Sequence, residues 1–255
     1  MWYLAHVVAV LLLNLAILEA LGRRRPLLIG LAVGAAYWTR LPVILSLPFF
    51  LLVTAPAWAP DGVRAWRAIR WGYVMRMAAG VTLFMGLNFA YNWVRFGTPL
   101  DVAYLYRPGV AEEPWFQQGL FHPSYIARHL KVIFLGLPRR LDSWPYLVPS
   151  LSGLAIWMTT PAFAFALRAP WRHPLTLASW VAVAPVALVN AMHGTWGFAQ
   201  FGYRFALDYY PFLFLLTAVG MGQRIRWTHC LLVGLGIAVN LWGVLATNIF
   251  SWATY

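Results

Sequence analysis

From Tyr3 to Leu21 the chain is an unbroken apolar stretch whose one formal charge, Glu19, lies near its end. A helix crossing the hydrocarbon core of a bilayer needs roughly 20 such residues at 1.5 Å each. Comparable runs recur at Met77 to Trp93, Leu147 to Leu167, Leu175 to Met192, Tyr209 to Gly222 and Leu231 to Phe250. Lipid offers no hydrogen bonds to the backbone, so such runs are expected to be helical. Leu27 to Pro60 is apolar too, with arginines before and after it. It is too short for two full crossings, which take roughly 40 residues. It is interrupted by Trp38-Thr39-Arg40-Leu41-Pro42, and Pro42 cannot continue a helix cleanly. Two short helices forming a hairpin around Arg40 are therefore expected. The predicted fold class is all-α: one polytopic transmembrane helix bundle over residues 1–255, with about eight membrane segments.

Composition agrees with a membrane chain and argues against other classes. Hydrophobic residues make up 62% and charged residues 10%, against about 25% charged in soluble domains. The net charge of +12 would fit a nucleic-acid binder if it were concentrated on one face. Instead the basic residues fall in short clusters between apolar runs, as in cytoplasmic loops, so no nucleic-acid partner is expected. The 15 tryptophans suit bilayer interfaces. Cys230 is the single cysteine, which excludes an intrachain disulfide. The N-terminus has neither the basic region nor the cleavage site of a signal peptide.

The positive-inside rule orients the segments in an inner (cytoplasmic) membrane. Arg23, Arg24, Arg25, Arg64, Arg67, Arg70, Arg76, Arg168, Arg172, Arg224 and Arg226 are placed inside, with Asp61. Arg40, Arg95, Arg107, Arg128, Lys131, Arg139, Arg140 and Arg204 are placed outside. Residues 95–146 form the longest stretch without a spanning run and are expected on the external membrane surface. Within it, Ile126, Leu130, Ile133 and Leu137 share a helical face across Ser124 to Leu137, which predicts an interfacial amphipathic helix. The topology puts Met1 outside, with Tyr3 at the interface and Trp252 and Tyr255 at the external end.

Three segments stand out for chemistry. The first is Thr39-Arg40-Leu41-Pro42, where a charge sits inside an apolar stretch. Such a charge faces a cavity, a partner or the interface, and here it can snorkel outward or hold an anionic headgroup. The second runs from Asn88 to Asp101, where Gly97 and Pro99 end a helix after Arg95-Phe96 and Arg95 and Asp101 can line an external cavity. The third runs from Gly194 to Pro211. It combines glycines and aromatics with Gln200, Tyr203, Arg204 and Asp208 where a helix enters the outer leaflet. Arg204 and Asp208 have the i, i+4 spacing of a helical ion pair. Arginine offers planar, bidentate recognition of phosphate, although a snorkelling arginine in a plain loop would look similar. The histidines His6, His122, His129, His173, His193 and His229 are dispersed, with no i, i+3 or i, i+4 pair, so no metal site or cofactor is expected. Asn88, Asn92, Asn190, Asn240 and Asn248 read as helix-packing groups. The small-residue stretches Gly30 to Gly34 and Gly234 to Gly243 read as close helix contacts.

In that order and spacing, these segments resemble bacterial GT-C superfamily glycosyltransferases, notably the polytopic relatives of dolichyl-phosphate-mannose–protein mannosyltransferases. The matching elements are the basic turn and Gly-rich short helix ending in Thr-Arg-Xaa-Pro (Arg23 to Pro42), the Asn92 to Pro99 turn, and Phe201-Gly202-Tyr203-Arg204-Phe205 with its Pro-containing helix to Pro211. The resemblance implies sugar transfer on the external face from a polyprenyl-phosphate-linked donor, with membrane lipid as surroundings. It implies a catalytic acidic residue in a first external loop, which would precede Met1. The chain would then be the C-terminal part of such an enzyme, without its catalytic carboxylate. Glu112 and Glu113 are external but in the wrong region for that role. Arg204, Arg40 and Arg95 would stabilise the lipid phosphate, Asp208 would orient Arg204 or meet sugar hydroxyls, and Gln200 and Tyr203 would hydrogen-bond substrate. The alternatives are a non-catalytic membrane scaffold fragment and a transporter or flippase for a lipid-linked substrate. The latter would favour repeated halves and charges at the midplane, and no such repeat is visible.

Overall fold

The computed structural model describes residues 2–54 and 70–253. Arg64, Arg67, Asp61, Met1 and Tyr255, used above to orient the chain, lie outside the described residues, as does the end of the second short helix. The helices are α1 (Trp2–Leu21), α2 (Pro26–Thr39), α3 (Leu47–Thr54), α4 (Trp71–Phe96), α5 (Ile126–Leu135), α6 (Ile156–Thr159), α7 (Pro174–Ala191), α8 (Tyr210–Met221) and α9 (Trp227–Val244). Short strands are β1 (Arg139–Arg140), β2 (Leu147–Val148), β3 (Ser152–Leu154) and β4 (Gln200–Gly202). β1 and β2 pair antiparallel, and β3 and β4 pair parallel with Ser152 opposite Gln200.

Four helical stretches are long and apolar enough to cross a membrane: Tyr3–Leu21, Trp71–Phe96, Pro174–Ala191 and Trp227–Ile249. The surface of α1 shows what solvent it suits. Ala9, Leu13, Ala16, Ile17 and Ala20 are buried, while Leu4, Val7, Leu11, Leu15 and Leu18 are exposed on the other side. A helix exposing such an unbroken aliphatic stripe suits an apolar surrounding such as lipid. The chain has the helices of a membrane protein.

Two features depart from the sequence expectation. The long spans number four among the described residues rather than about eight, and the strands make the chain mostly helical rather than strictly all-α. Leu147 to Leu167, expected as one crossing, is instead β2, β3, α6 and a 3-10 stretch at Pro161–Arg168. Pro149 and Pro161 lack the N–H that a continuing helix needs, and Gly153 adopts φ +111. α2, α3 and α8 are apolar but short.

The chain divides into two compact units. The first comprises residues 1–113, 171–187 and 207–212. In it α2 packs on α1 and α4, and α3 packs on α1. α2 and α4 run parallel: Gly30 lies on Met77, Gly34 on Phe84 and Gly80 on the backbone of Gly30 and Leu31. A Cβ at Gly30 would fall inside the Met77 carbonyl, so the two backbones touch, as small residues permit in membrane helix pairs. After α2 the chain turns through extended Arg40 (φ −147, ψ 98) into a 3-10 segment, Leu41–Ser46, that folds back on α2.

The second unit comprises residues 114–170, 188–206 and 213–255. It contains the parallel β3–β4 pair. Ala155 N–H donates to the Gly136 carbonyl (2.8 Å), tying β3 to the end of α5, and the Trp157 indole donates to the Phe134 carbonyl (2.8 Å). Asn240 of α9 donates to the Thr159 carbonyl (2.7 Å), a helix-packing role of the kind read from the sequence. α5 begins at Ile126 and ends at Leu135. Its buried positions are His129 and Ile133, whereas Leu130, Phe134, Leu135 and Leu137 are exposed. The apolar stripe read from sequence is thus split between a packed face and an outward one.

Candidate functional site

Asp208 ends a 3-10 turn, Arg204–Asp208, just before α8. Its carboxylate is fully buried, with 0% of its surface accessible. Removing a carboxylate from water costs several kcal/mol, roughly, unless partners replace the water. Two do so. Arg40 lies side-on, with Nε donating to Oδ1 (3.0 Å) and Oδ2 (3.3 Å) and Nη2 donating to Oδ2 (2.7 Å). His6, itself 1% accessible, places Nδ1 3.0 Å from Oδ1. An ionised carboxylate only accepts, so Nδ1 carries the proton in this bond.

Sequence-local features put these groups in place. Arg40 is the C-cap of α2, its N–H donating to the Ala36 carbonyl (2.9 Å), and Pro42 keeps the chain from continuing as a helix. Phe49 and Phe50 of α3 meet Phe212 at the start of α8, with ring centroids 5.0 Å and 6.2 Å away. All three rings are fully buried, which locks the backbone next to Asp208. Burial alone would raise the Asp208 carboxyl; the hydrogen bonds from His6 and Arg40 outweigh it and hold the group below its usual range. Asp208 is therefore ionised at neutral pH, and Arg40 is fixed with 22% of its side chain accessible. A pinned, partly accessible guanidinium is suited to an anionic oxygen.

Arg95 and Asp101 behave differently. α4 ends at Phe96, and Gly97 takes the left-handed conformation at φ +70. Asn92 closes this turn by donating to the Pro99 carbonyl (3.3 Å), and also donates to the Asn88 side-chain oxygen (3.2 Å). The exposed Arg95 reaches the Tyr91 hydroxyl (3.1 Å) and lies over the Phe96 ring at 4.9 Å. Asp101 accepts from Ala103 N–H (3.1 Å) in a local turn.

In the second unit Gln200 is fully buried and its amide works within the chain. Nε2 donates to the Ser152 and Trp196 carbonyls (both 2.9 Å), and Oε1 accepts from Arg204 N–H (3.1 Å). Arg204 Nη1 donates to the Phe198 carbonyl (3.1 Å), and its guanidinium lies 5.4 Å from the Phe205 ring centre. Tyr203 has its hydroxyl 2.7 Å from His129 Nδ1, while His129 Nε2 is 2.8 Å from the His193 carbonyl. A carbonyl only accepts, so Nε2 carries the hydrogen and Nδ1 accepts the tyrosine proton. Burial, partly opposed by the His193 carbonyl, pushes His129 down to about 4, so it is neutral at physiological pH.

The structure thus joins Arg40 to Asp208 and adds His6, which the sequence reading passed over. It also adds His129 as the partner of Tyr203. Spacing along the chain does not report their partners, which lie 202 and 74 positions away. A usable signal was present for His6: an ionisable side chain inside an apolar membrane run normally has a partner. No family model matches the chain, and neither a curated protein nor a solved structure matches it.

Proposed function

We propose that this chain is the membrane bundle of a glycosyltransferase that moves a sugar from a polyprenyl-phosphate donor to an acceptor on the external face of the inner membrane. The observation that carries this reading is the buried Arg40–Asp208–His6 cluster. Arg40 belongs to the first of the three segments that suggest the family and Asp208 to the third, so two segments chosen from the sequence meet in one site. The cluster also suits the chemistry. Negative charge grows on a lipid phosphate as the glycosidic bond breaks, and a fixed guanidinium stabilises it without reorganising. Asp208 is the positioning residue here: it holds the Arg40 plane and its charge.

Binding tests the proposal on the chain itself. Purified protein in detergent is titrated with undecaprenyl phosphate and, separately, with undecaprenol, and retention is followed by native mass spectrometry. Saturable binding that requires the phosphate and weakens at least about tenfold, or 1.4 kcal/mol, in Arg40→Met is expected. Equal retention of the two lipids, or an unchanged affinity in the variant, removes Arg40 from a phosphate site.

A further inference from the structure

The first unit carries a second charged feature at the far end of α1. From His6 to Leu21 the helix rises roughly 22 Å. Beyond Leu21 lies a cavity of about 530 Å³ whose lining includes Arg23, Arg24, Arg70, Arg76, Thr54 and Tyr73. Glu19 is the sole acid on α1 to α4, and Arg25 occupies its carboxylate with Nε at 2.9 Å and Nη2 at 2.7 Å. Among the described residues, the four lining arginines have no carboxylate within ion-pair distance.

Two helix N-termini add to this positive field. Because α2 and α4 run parallel in backbone contact, both begin at this end. Neither has an acidic residue in its first turn, and neither N-cap, Arg25 or Arg70, supplies a side-chain cap. Helix N-termini carry partial positive charge and unpaired N–H groups, and they normally attract acids. Here they meet arginines. Arg24 also holds a left-handed backbone, φ +56, its N–H donating to the Glu19 carbonyl at 2.7 Å, where glycine would be the unstrained choice. A topological positive-inside signal needs only basic residues near a membrane end. It does not need them gathered around a cavity at two parallel helix starts that, among the described residues, have no side-chain cap.

We propose that this cavity binds a phosphate group, supplied either by an anionic phospholipid headgroup or by a soluble phosphorylated compound. Arginine forks and helix N–H groups share that ligand chemistry. Basic pockets between membrane helices on the cytoplasmic side are suited to such headgroups. The site is separate from the Asp208 cluster and does not depend on the reaction assigned there.

The test begins with unmodified, delipidated protein. Arginines are labelled with phenylglyoxal and mapped by mass spectrometry, in cardiolipin-containing micelles and with soluble glycerol phosphate. Labelling of Arg23, Arg24, Arg70 and Arg76 should slow at least fivefold, while the exposed Arg139 and Arg140 of β1 stay unchanged. Protection by cardiolipin alone assigns a lipid headgroup; protection by glycerol phosphate as well assigns a soluble phosphate. Protection of neither kind, or equal protection of Arg139 and Arg140, overturns the proposal. In parallel, Arg24→Gln with Arg76→Gln should weaken retention of the protecting phosphate at least tenfold, and Arg139→Gln with Arg140→Gln should not. Equal retention by both double variants also overturns it.

Discussion

Replacing Arg40 with methionine keeps much of its length and removes its charge from beside the buried Asp208 carboxylate, which His6 also contacts. Breaking a buried pair from one side costs about 3–5 kcal/mol. The carboxyl has an escape, which sets a ceiling. It can take a proton, and from the ordinary carboxyl value of 3.8 this costs about 4 kcal/mol at pH 7, at 1.36 kcal/mol per unit. At pH 5 the same step costs about 1.6 kcal/mol. The destabilisation by Arg40→Met should therefore be large at pH 7 and less than half as large at pH 5. The wild type has the opposite sign. Its Asp208 pKa is depressed, so its contribution is present above the unfolded value and fades as pH falls through the folded one. Adding Asp208→Asn to Arg40→Met should recover most of the loss at pH 7, because the buried charge that Arg40 balances is gone. Tryptophan fluorescence during thermal unfolding in detergent measures all three proteins at both pH values. An Arg40→Met defect that is equal at pH 5 and pH 7, and that Asp208→Asn fails to relieve, would show that lost packing rather than an uncompensated charge is responsible.

Other expectations concern the scaffold and the second unit. Gly30→Val should destabilise by about 1–3 kcal/mol or more, since its side chain meets the Met77 carbonyl rather than a movable side chain; near-wild-type thermal stability would contradict the α2–α4 contact. Gln200→Ala leaves the Ser152 and Trp196 carbonyls without their donor and should cost about 1–3 kcal/mol, read as a lower unfolding temperature. His129 stays neutral in the fold down to about 4, against 6.5 when unfolded, so its stabilisation is full above pH 6.5 and is lost as pH falls towards 4. That difference amounts to about 3 kcal/mol, and His129→Gln should flatten the stability profile across this window; an unaltered profile would place the titration elsewhere.

The apolar runs made α1, α4, α7 and α9 legible because a membrane helix needs only length and the absence of charge. The interruption at Arg40 was legible for the same reason. Leu147 to Leu167 misled because hydropathy does not register what Pro149, Gly153 and Pro161 do to backbone hydrogen bonding. In the sequence Arg40 and Asp208 both stand out, but as separate features. Spacing suggested Arg204 for Asp208, on helical i, i+4 logic. The turn Arg204–Asp208 is 3-10, with three residues per turn, and does not bring i and i+4 onto one face. The partner that geometry supplies, Arg40, is 168 positions away, a distance no periodicity reports. Gln200 looked like a substrate ligand because polar groups in glycine-rich loops often are. Only the β3–β4 pairing reveals two backbone carbonyls that use its amide.

The two ends of α2 give the first unit its electrostatic logic. At its C-terminus, where the helix dipole is negative, the chain places Arg40 and then balances that cation with Asp208. There the cation answers both the helix dipole and the buried acid, and part of its side chain stays accessible. At its N-terminus the dipole is positive, and the chain places Arg23, Arg24 and Arg25 against it, with Glu19 neutralising Arg25. The start of α4 adds Arg70 and Arg76. The Gly30 and Gly80 contacts that make α2 and α4 parallel bring these like charges to the same place. Exposure to water lowers that repulsion but does not remove the opposition between arginine and helix dipole. An anion in the cavity would reverse both effects at once. The same helix thus obeys the dipole rule where its partner is built into the chain and breaks it where a ligand would complete the charge balance.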